Sequence, residues 1–322
     1  MVTPAAKLPV AHKQMGVMDQ SIVTLSNLRK CFGTTVALDG VSLTIERPCI
    51  FGVVGPDGAG KTTLLRILVG LLEFEAECAS VLGYALASQT QLIKERLGYV
   101  PQTFSLYQDL SVQHNLEFFA DIHGLPRRVF RQRAAELLAI AQLEKFTTFL
   151  ASALSGGMKQ KLALICALLH QPQVLILDEP NNGVDLIARG EMWTILRQLR
   201  DVTIVMSTGY LDEADRCDQV AYLYRGKIRV NGAPPDIKAQ FPWKAYRLLG
   251  DIQPNLVACI QQAPWAHRIQ LIGETVTIET TLSCPELQAA VSAFDREALT
   301  VEAITPTLEM VFTELTEQAE RE

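Results

Sequence analysis

The 322-residue chain has no apolar run long enough to cross a bilayer as a helix, and this limits how it can act at a membrane. Its longest clearly apolar stretches are Ala163–Leu169 and Val174–Leu177, whereas a spanning helix needs about 20 residues. We therefore expect any membrane role to come through a partner. A basic excess is also lacking: 29 Lys and Arg face 35 Asp and Glu, a net charge of −6. Nucleic acid is thus not an expected partner.

The cysteine pattern indicates neither a disulfide scaffold nor a Cys-x-x-Cys motif. The seven cysteines are odd in number and scattered along the chain, so we expect reduced, partly buried thiols. Hydrophobic residues make up 48% of the sequence, enough for a substantial core. The length suggests two domains.

The hydrophobic pattern predicts an α/β core with a helical insertion. A short apolar run at Ile50–Val54 is typical of a buried parallel strand, and we expect a helix over Thr62–Leu72 after a glycine-rich turn. The segment Leu110–Leu150 is mostly helix-forming. The other predicted elements are strands at Ile22–Leu28, Val36–Ile45, Val174–Leu177 and Val202–Met206, and a helix at Ala188–Arg200.

A break in the pattern at Gly232–Pro235 predicts a domain boundary. Beyond it, strand-like and helix-like segments alternate, which indicates a small α+β domain at residues 240–322. The expected organisation is a flexible tail at residues 1–20, an α/β core at residues 21–235, and this accessory domain.

One glycine-rich segment follows the pattern G-x-x-x-x-G-K-[ST] between a predicted strand and a predicted helix, the context that this motif requires. Its glycines let backbone N–H groups turn toward phosphate oxygens, and the helix N-terminus adds partial positive charge. Lys61 would neutralise the β- and γ-phosphates, and Thr62 would offer its hydroxyl to Mg²⁺. The predicted ATP-binding residues of this loop are Gly55, Pro56, Asp57, Gly58, Ala59, Gly60, Lys61, Thr62 and Thr63.

Two carboxylates follow the apolar run Val174–Leu177. A buried strand would deliver Asp178 and Glu179 at its carboxyl end, where open α/β sheets bind ligands. We expect Asp178 to hold Mg²⁺ and Glu179 to polarise the attacking water. An Asp-Glu pair after an apolar run is common, so this pair indicates a nucleotide site only together with the upstream phosphate loop.

The segment Leu154-Ser155-Gly156-Gly157-Met158 resembles the signature Leu-Ser-Gly-Gly-Gln of ABC-type ATPases, with Met158 in the Gln position. The resemblance covers about residues 21–232. It implies a P-loop NTPase core of the ABC type: a parallel sheet, an antiparallel β subdomain and a helical subdomain. In this family the signature contacts the ATP of an opposing subunit, which assigns Ser155, Gly156, Gly157 and Met158 to the partner's nucleotide.

Other residues acquire expected roles from the same resemblance. Phe32 stands where an aromatic ring stacks on adenine, and Gln102 matches the glutamine that touches Mg²⁺ and reports to the transmembrane partner. Gly183 and Asp185 match the D-loop at the dimer interface. The implied catalytic residues are Glu179 and Gln102, and the implied Mg²⁺ ligands are Thr62, Gln102 and Asp178.

The chain is most similar to the ATPase subunits of drug-type exporters, including fused two-ATPase bacterial efflux proteins. That similarity implies ATP and Mg²⁺ as cofactors, and transmembrane permease subunits and a second ATPase subunit as partners. The expected location is the cytoplasmic face of the inner or plasma membrane, held there through the permease. The tail beyond Pro234 resembles the accessory C-terminal domain of these exporters.

The sequence departs from the family pattern at the switch region. Gly209 stands where the family has a histidine that contacts the γ-phosphate, and none of the five histidines lies at this point. In the D-loop, Asn181 replaces a small hydroxyl residue and Leu186 stands where proline is common. We expect the site on Lys61 to bind ATP and to hydrolyse it slowly, because losing one transition-state donor costs on the order of 10²–10³ in rate.

Two other functions stay open from the sequence. A soluble, non-transport ABC ATPase would act on ribosomes or DNA, but such proteins usually carry two ATPase units or a coiled-coil insertion, and neither is evident here. A regulatory subunit that binds nucleotide with negligible turnover is motivated by Gly209. The second ATPase subunit is expected to be non-identical, although a homodimer is possible.

Overall fold

The computed structural model describes residues 21–250, 252, 254–272, 275–293 and 299–321. The predicted tail at residues 1–20 lies outside the described residues. The chain forms two compact units, which divide between Asn231 and Gly232. Within the described ranges, no helix combines the length and the apolar character that crossing a membrane requires.

The first unit contains strands and helices in the order of an α/β fold. Its strands are β1 (Val23–Phe32), β2 (Thr35–Ile45), β3 (Ile50–Val54), β4 (Cys78–Val81), β5 (Tyr84–Ala85), β6 (Leu97–Val100), β7 (Val174–Asp178), β8 (Thr203–Thr208), β9 (Gln219–Tyr224) and β10 (Lys227–Gly232). Its helices are α1 (Lys61–Leu68), α2 (Thr90–Lys94), α3 (Val112–Ile122), α4 (Arg127–Ala141), α5 (Gly156–Leu168), α6 (Leu186–Leu196) and α7 (Leu211–Ala214).

The central sheet of this unit has six strands in the order β10-β9-β3-β8-β7-β6. Strand β3 pairs in parallel with β8 and β9, and β7 pairs in parallel with β6 and β8. Every residue of β3 and β7 is buried, which explains why both strands read as continuous apolar runs. The carboxyl ends of β3, β7 and β8 meet at one edge of the sheet, where the candidate site lies.

A second sheet of the first unit is antiparallel, with the order β2-β1-β4-β5. Strands β1 and β2 bury one face of alternating apolar side chains, among them Leu25, Leu28, Leu38 and Leu43. Along the chain, helices α3 and α4 lie between β6 and helix α5, and α5 is followed by β7 of the central sheet. The predicted combination of parallel sheet, antiparallel sheet and helical segment is confirmed.

Element boundaries differ from the sequence prediction at several places, among them β1, which runs to Phe32 rather than Leu28, and α6, which ends at Leu196 rather than Arg200. Helix α1 ends at Leu68 rather than Leu72, because Gly70 adopts a left-handed backbone with φ of 69° that an α-helix cannot continue. The break at Gly232–Pro235 contains a short helix, α8 (Pro234–Ala239), with proline in its first turn. The strands β4, β5, β6, β9 and β10 were not predicted.

The second unit is a small α+β structure. After α8 its elements are β11 (Lys244–Leu249), α9 (Pro254–Gln261), β12 (Ala266–Ile272), β13 (Thr275–Thr280), α10 (Cys284–Ser292), β14 (Thr300–Ile304) and α11 (Leu308–Arg321). The strands form an antiparallel sheet in the order β12-β13-β11-β14, which with the βαββαβ chain order is a ferredoxin-like arrangement. The predicted small C-terminal α+β fold is confirmed.

The two faces of this sheet differ in chemistry. One face packs an apolar core that includes Tyr246, Leu248, Ile260 and Ile278. On the α11 side, Arg268 forms ion pairs with Glu279 at 2.8 Å and with Glu317 at 2.8 Å. Glu279 is almost fully buried, and burial raises the pKa of its carboxyl group while Arg268 opposes that shift. Charge pairing, rather than apolar packing alone, therefore connects α11 to this sheet.

Candidate functional site

The phosphate loop lies between β3 and α1, as its motif requires. Two of its glycines have left-handed backbones, Gly58 with φ of 77° and Gly60 with φ of 107°. A Cβ atom on Gly60 would lie 2.6 Å from the carbonyl oxygen of Ala37, so only glycine fits there. Because α1 begins at Lys61, the loop leads directly into free N–H groups at the helix N-terminus.

Lys61 is buried, with 4% of its surface exposed, and its ammonium group is held by the loop itself. Its Nζ donates to the carbonyl oxygens of Gly55 at 2.8 Å and Pro56 at 3.1 Å. The same nitrogen lies 3.4 Å from Oε1 of Glu179. The cation is thus placed over the loop, with the carboxylate of Glu179 beside it.

Asp178 is completely buried at the end of β7. Its Oδ1 accepts hydrogen bonds from the hydroxyls of Thr62 at 3.0 Å and Ser207 at 2.7 Å, whereas its Oδ2 has no hydrogen-bond partner among the described residues. Buried carboxylate oxygens rarely stay unpaired. A carboxylate oxygen free to coordinate, next to the Thr62 hydroxyl, is the oxygen donor set that Mg²⁺ prefers.

The hydroxyl of Ser207, on β8, joins the two carboxylate residues. Besides donating to Asp178, it accepts the backbone N–H of Glu179 at 2.9 Å. Glu179 has a left-handed backbone with φ of 47°, uncommon for a residue other than glycine. Burial, and then the charge of Asp178, raise the pKa of the Tyr99 hydroxyl on β6. The two carboxylate residues therefore lie at the sheet edge in a polar environment, where hydrogen bonds hold them.

The side chain of Glu179 is held from both sides. Its Oε2 accepts from Nε2 of Gln102 at 2.9 Å and from Nδ2 of Asn182 at 3.1 Å, while Oε1 faces Lys61. The structure thus brings Gln102 to Glu179. Asn182 was missed in the sequence, although its position three residues after Glu179, in the turn that follows β7, was the available signal.

The predicted signature forms the start of α5. Ser155 is the N-cap, and its Oγ accepts the N–H of Met158 at 3.3 Å. A Cβ atom on Gly157 would approach the Cβ of Ala188 to 2.5 Å, so this glycine permits close packing of α5 on α6. Gly156 has open space around it among the described residues. Among the described residues, no hydrogen bond connects Ser155 to Lys61 or Glu179.

The remaining predicted residues occupy exposed positions. Phe32, at the end of β1, is 48% exposed, and the Lys30 ammonium lies 5.1 Å from its ring centroid. Gly183 has a left-handed backbone with φ of 69°. Asp185 caps α6 through hydrogen bonds from the N–H groups of Ile187 and Ala188, both at 3.0 Å. The D-loop carboxylate therefore also has a local structural role.

The switch segment follows β8. A Cβ atom on Gly209 would meet nothing within 4 Å among the described residues, so this position has room for a side chain and supplies none. Thr208 Oγ1 accepts the N–H of Tyr210 at 3.0 Å and donates to Oε2 of Glu213 at 2.6 Å. The segment is thus fixed by its hydroxyl and by a buried carboxylate.

Glu213 connects the switch segment to the D-loop, a contact that the sequence did not reveal. Glu213 is 1% exposed, and its Oε1 accepts from Asn181 at 2.8 Å and from Arg189 Nε at 3.2 Å. Arg189 also pairs with both carboxylate oxygens of Asp212 and stacks on the ring of Tyr210, with 4.2 Å to the centroid. The unusual Asn181 of the D-loop therefore has a partner in the structure.

Comparisons with known proteins agree with this fold. The model of the ABC transporter family matches residues 38–182. Among solved structures, the ATP-binding subunit of an ABC transporter gives a TM-score of 0.63 at 29% identity, over 69% of this chain and 93% of that one. A dimeric ATP-binding cassette bound to ADP and Pi gives 0.60 at 26% identity, over 66% of this chain and 98% of that one. The fold is that of an ATP-binding cassette.

Curated relatives identify the family. Nod factor export ATP-binding protein I of Rhizobium sp. (strain N33) is 34% identical over 303 residues, 93% of this chain and 98% of that protein. The probable multidrug ABC transporter ATP-binding protein YbhF of Escherichia coli (strain K12) is 37% identical over 233 residues, 72% of this chain. The matched part covers only 40% of the length of YbhF. The chain belongs to the ABC transporter family of ATP-binding proteins.

Proposed function

We propose that this chain is the ATP-binding and ATP-hydrolysing subunit of an ABC-type membrane exporter, coupling ATP-driven dimer closure to transport through separate transmembrane permease subunits. In this proposal it is held at the cytoplasmic face of the inner or plasma membrane by the permease. Residues 21–235 handle nucleotide and residues 240–322 are the accessory domain. The observation that carries the proposal is the cluster at one sheet edge, in which Lys61 lies 3.4 Å from Glu179 and Thr62 donates to Asp178 at 3.0 Å.

The proposed ATP site uses the loop Gly55–Thr63. Backbone N–H groups of the loop and of the start of α1 would bind phosphate oxygens, and Lys61 would neutralise their charge. Phe32 would stack on the adenine ring. Thr62, Asp178 and Gln102 would hold Mg²⁺, which when bound screens the negative charge of the phosphates. The unpaired Oδ2 of Asp178 supports this assignment.

Glu179 is the proposed group that orients and polarises the attacking water. Its carboxylate lies beside Lys61, and Gln102 holds the oxygen turned away from that cation. In this geometry the phosphate loop and the carboxylate can act on one ligand.

The signature residues are proposed to serve a second ATPase subunit. Ser155, Gly156, Gly157 and Met158 start α5 in the same chain that carries the phosphate loop, but no hydrogen bond in the described part of the chain connects them to it. Free N–H groups at this helix start could bind the γ-phosphate of ATP held by a partner. Gly183 and Asp185 would lie at the same dimer interface.

The open space at Gly209 supports an asymmetric pair of ATPase subunits. The site on Lys61 lacks a side-chain donor from the switch and would mainly hold ATP, whereas a non-identical partner with a histidine there would turn over faster. A nucleotide-binding regulatory subunit with negligible turnover is the second candidate function, favoured by this same glycine.

The names of the relatives support an export role, since one is named for multidrug transport and another for Nod factor export. Co-purification tests it. The full chain, tagged and extracted from membranes in mild detergent, is expected to retain membrane-spanning subunits and to show ATPase activity that falls when they are removed. Recovery of the chain solely with ribosomes or DNA would contradict the proposal, and recovery with permease but with no ATPase activity from either subunit would favour the regulatory function.

A further inference from the structure

Asn182 lies in the turn that follows β7, and both its backbone and its side chain contact Glu179. Its N–H donates to the Glu179 carbonyl oxygen at 3.1 Å, and its Nδ2 donates to Glu179 Oε2, also at 3.1 Å. A carboxylate can only accept, so the nitrogen of the Asn182 amide must be the atom that faces it. The turn thus delivers a neutral side-chain donor to the carboxylate from the same chain segment.

The Asn182 amide and the Gln102 amide share one carboxylate oxygen. Both donate to Oε2 of Glu179, at 3.1 Å and 2.9 Å, while Oε1 faces the Lys61 ammonium at 3.4 Å. Gln102 comes from the loop after β6, which is a separate part of the chain. When Lys61 turns to a phosphate, the two amides remain as the hydrogen-bond donors to this side-chain carboxylate among the described residues.

At Gly209 the switch segment offers no side chain for that orientation. Gly209 has no side chain, and nothing in the described structure lies within 4 Å of where its Cβ would be. A glutamate side chain with free torsions loses rotamer freedom when it must adopt one reactive direction, and prior orientation removes that cost. Asn182 is close enough to provide it.

We propose that Asn182 is a positioning residue for Glu179, holding Oε2 so that Oε1 stays directed at the phosphate loop. Asn182 touches neither the nucleotide nor the water in this role and acts only through Glu179. The inference rests on the proposed function of Glu179 in ATP hydrolysis. It predicts that loss of the amide lowers turnover without changing nucleotide binding, because the loop Gly55–Thr63 is left intact.

The kinetic test uses the purified full chain, in which every site is built on Lys61 and Glu179. Asn182→Ala is expected to lower kcat about 10- to 100-fold, the scale of one hydrogen bond to a charged group, with KM for ATP and the melting temperature unchanged. Asn182→Asp has the same shape but replaces the donor with a negative charge, so its loss of kcat should be larger. Asn231→Ala, at an exposed asparagine on β10, is the matched control and should behave as the unchanged chain.

A double-mutant cycle separates orientation from a general structural effect. Gln102→Ala and Asn182→Ala should be non-additive, since the two amides act on the same oxygen. Gly209→His should recover part of the kcat lost in Asn182→Ala. Equal losses in kcat and nucleotide affinity, or full additivity with Gln102→Ala, would overturn the positioning role.

A spectroscopic readout makes the inference testable even if turnover is too slow to measure. The side-chain ¹⁵N amide signals of Asn182, assigned by their loss in Asn182→Ala, should shift when Glu179 is replaced by alanine and stay in place when the exposed Glu73 is replaced. Absence of that shift overturns the contact. If Glu179→Gln leaves turnover unchanged while the shift is observed, the proposed function of Glu179 fails and the contact stands.

Discussion

At the residue scale, Lys61 is the cation around which the phosphate loop is arranged. Its ammonium is buried and bonded to two loop carbonyl oxygens and to Glu179, so it is pre-oriented before any phosphate is bound. A buried, partnered cation of this kind gives strong charge-assisted bonds to an anion that replaces its carboxylate partner. The phosphate-loop assignment therefore depends on this side chain more than on any other.

Lys61→Ala should lower ATP affinity about 10- to 100-fold, since a hydrogen bond to a charged group is worth about 1.5–3 kcal/mol. Binding of a fluorescent ATP analogue to the full chain measures this. Lys94→Ala, at an exposed lysine of α2, serves as the control and should leave affinity unchanged. A folded Lys61→Ala chain that binds as tightly as the unchanged protein would contradict the assignment of the loop.

Residue contacts were predictable from the sequence where a motif fixes spacing, and not elsewhere. Lys61, Asp178 and Glu179 follow from their positions next to β3 and β7. Glu213, by contrast, meets Asn181 across 32 residues, and no periodic pattern or motif brings these two polar side chains together. Such contacts depend on how β7 and β8 neighbour each other in the sheet, which single-sequence reasoning does not specify.

At the scale of elements, the D-loop and the switch segment are connected by buried charge. Glu213 on α7 accepts from Asn181 before the D-loop, from Arg189 on α6 and from Thr208 at the end of β8. Burying a carboxylate is costly unless it is paired and fully hydrogen-bonded, and here three donors satisfy it. We expect movement of the D-loop at a dimer interface to be transmitted to the switch through this carboxylate.

Glu213→Ala should lower the free energy of unfolding by about 3–5 kcal/mol, because it leaves Arg189 and two further donors without their buried partner. Asp212→Ala removes an exposed partner of the same Arg189 and should cost less than about 1 kcal/mol. Urea denaturation of the two variants gives this difference directly. Similar losses in both variants would show that the Glu213 network does not act as a buried connection.

Element prediction succeeded for the continuous apolar runs and missed several other strands, both very short ones and the 6-residue β9 and β10. The all-apolar strands β3 and β7 were predicted close to their observed ends. Strand β5 has 2 residues and β4 and β6 have 4 each, too few for a periodic pattern to stand out. The end of α1 was also misplaced, because Gly70 stops the helix while apolar residues continue to Leu72.

At the scale of the whole molecule, the proposed nucleotide contacts all lie before residue 232. The second unit has its own apolar core and its own sheet, beginning at Gly232. We therefore propose that residues 21–235 alone bind nucleotide.

A chain ending after residue 235 is expected to bind ATP with unchanged affinity, because no proposed contact is removed. Circular dichroism establishes that the shortened protein is folded, and titration with the same fluorescent analogue measures binding. Loss of binding in a folded shortened chain would mean that residues 240–322 contribute to the site. That result would contradict the proposal that residues 21–235 alone bind nucleotide.

In the asymmetric pair proposed above, this chain supplies its signature to a faster site on a second ATPase, while its own site mainly holds ATP. The most direct measurement compares two variants of this chain in the assembled complex. Ser155→Asp keeps the N-cap acceptor of α5 but places a negative charge where the partner's γ-phosphate would bind, so it should abolish most hydrolysis. Glu179→Gln should reduce hydrolysis far less. A complex whose turnover survives Ser155→Asp and is lost in Glu179→Gln would contradict the account.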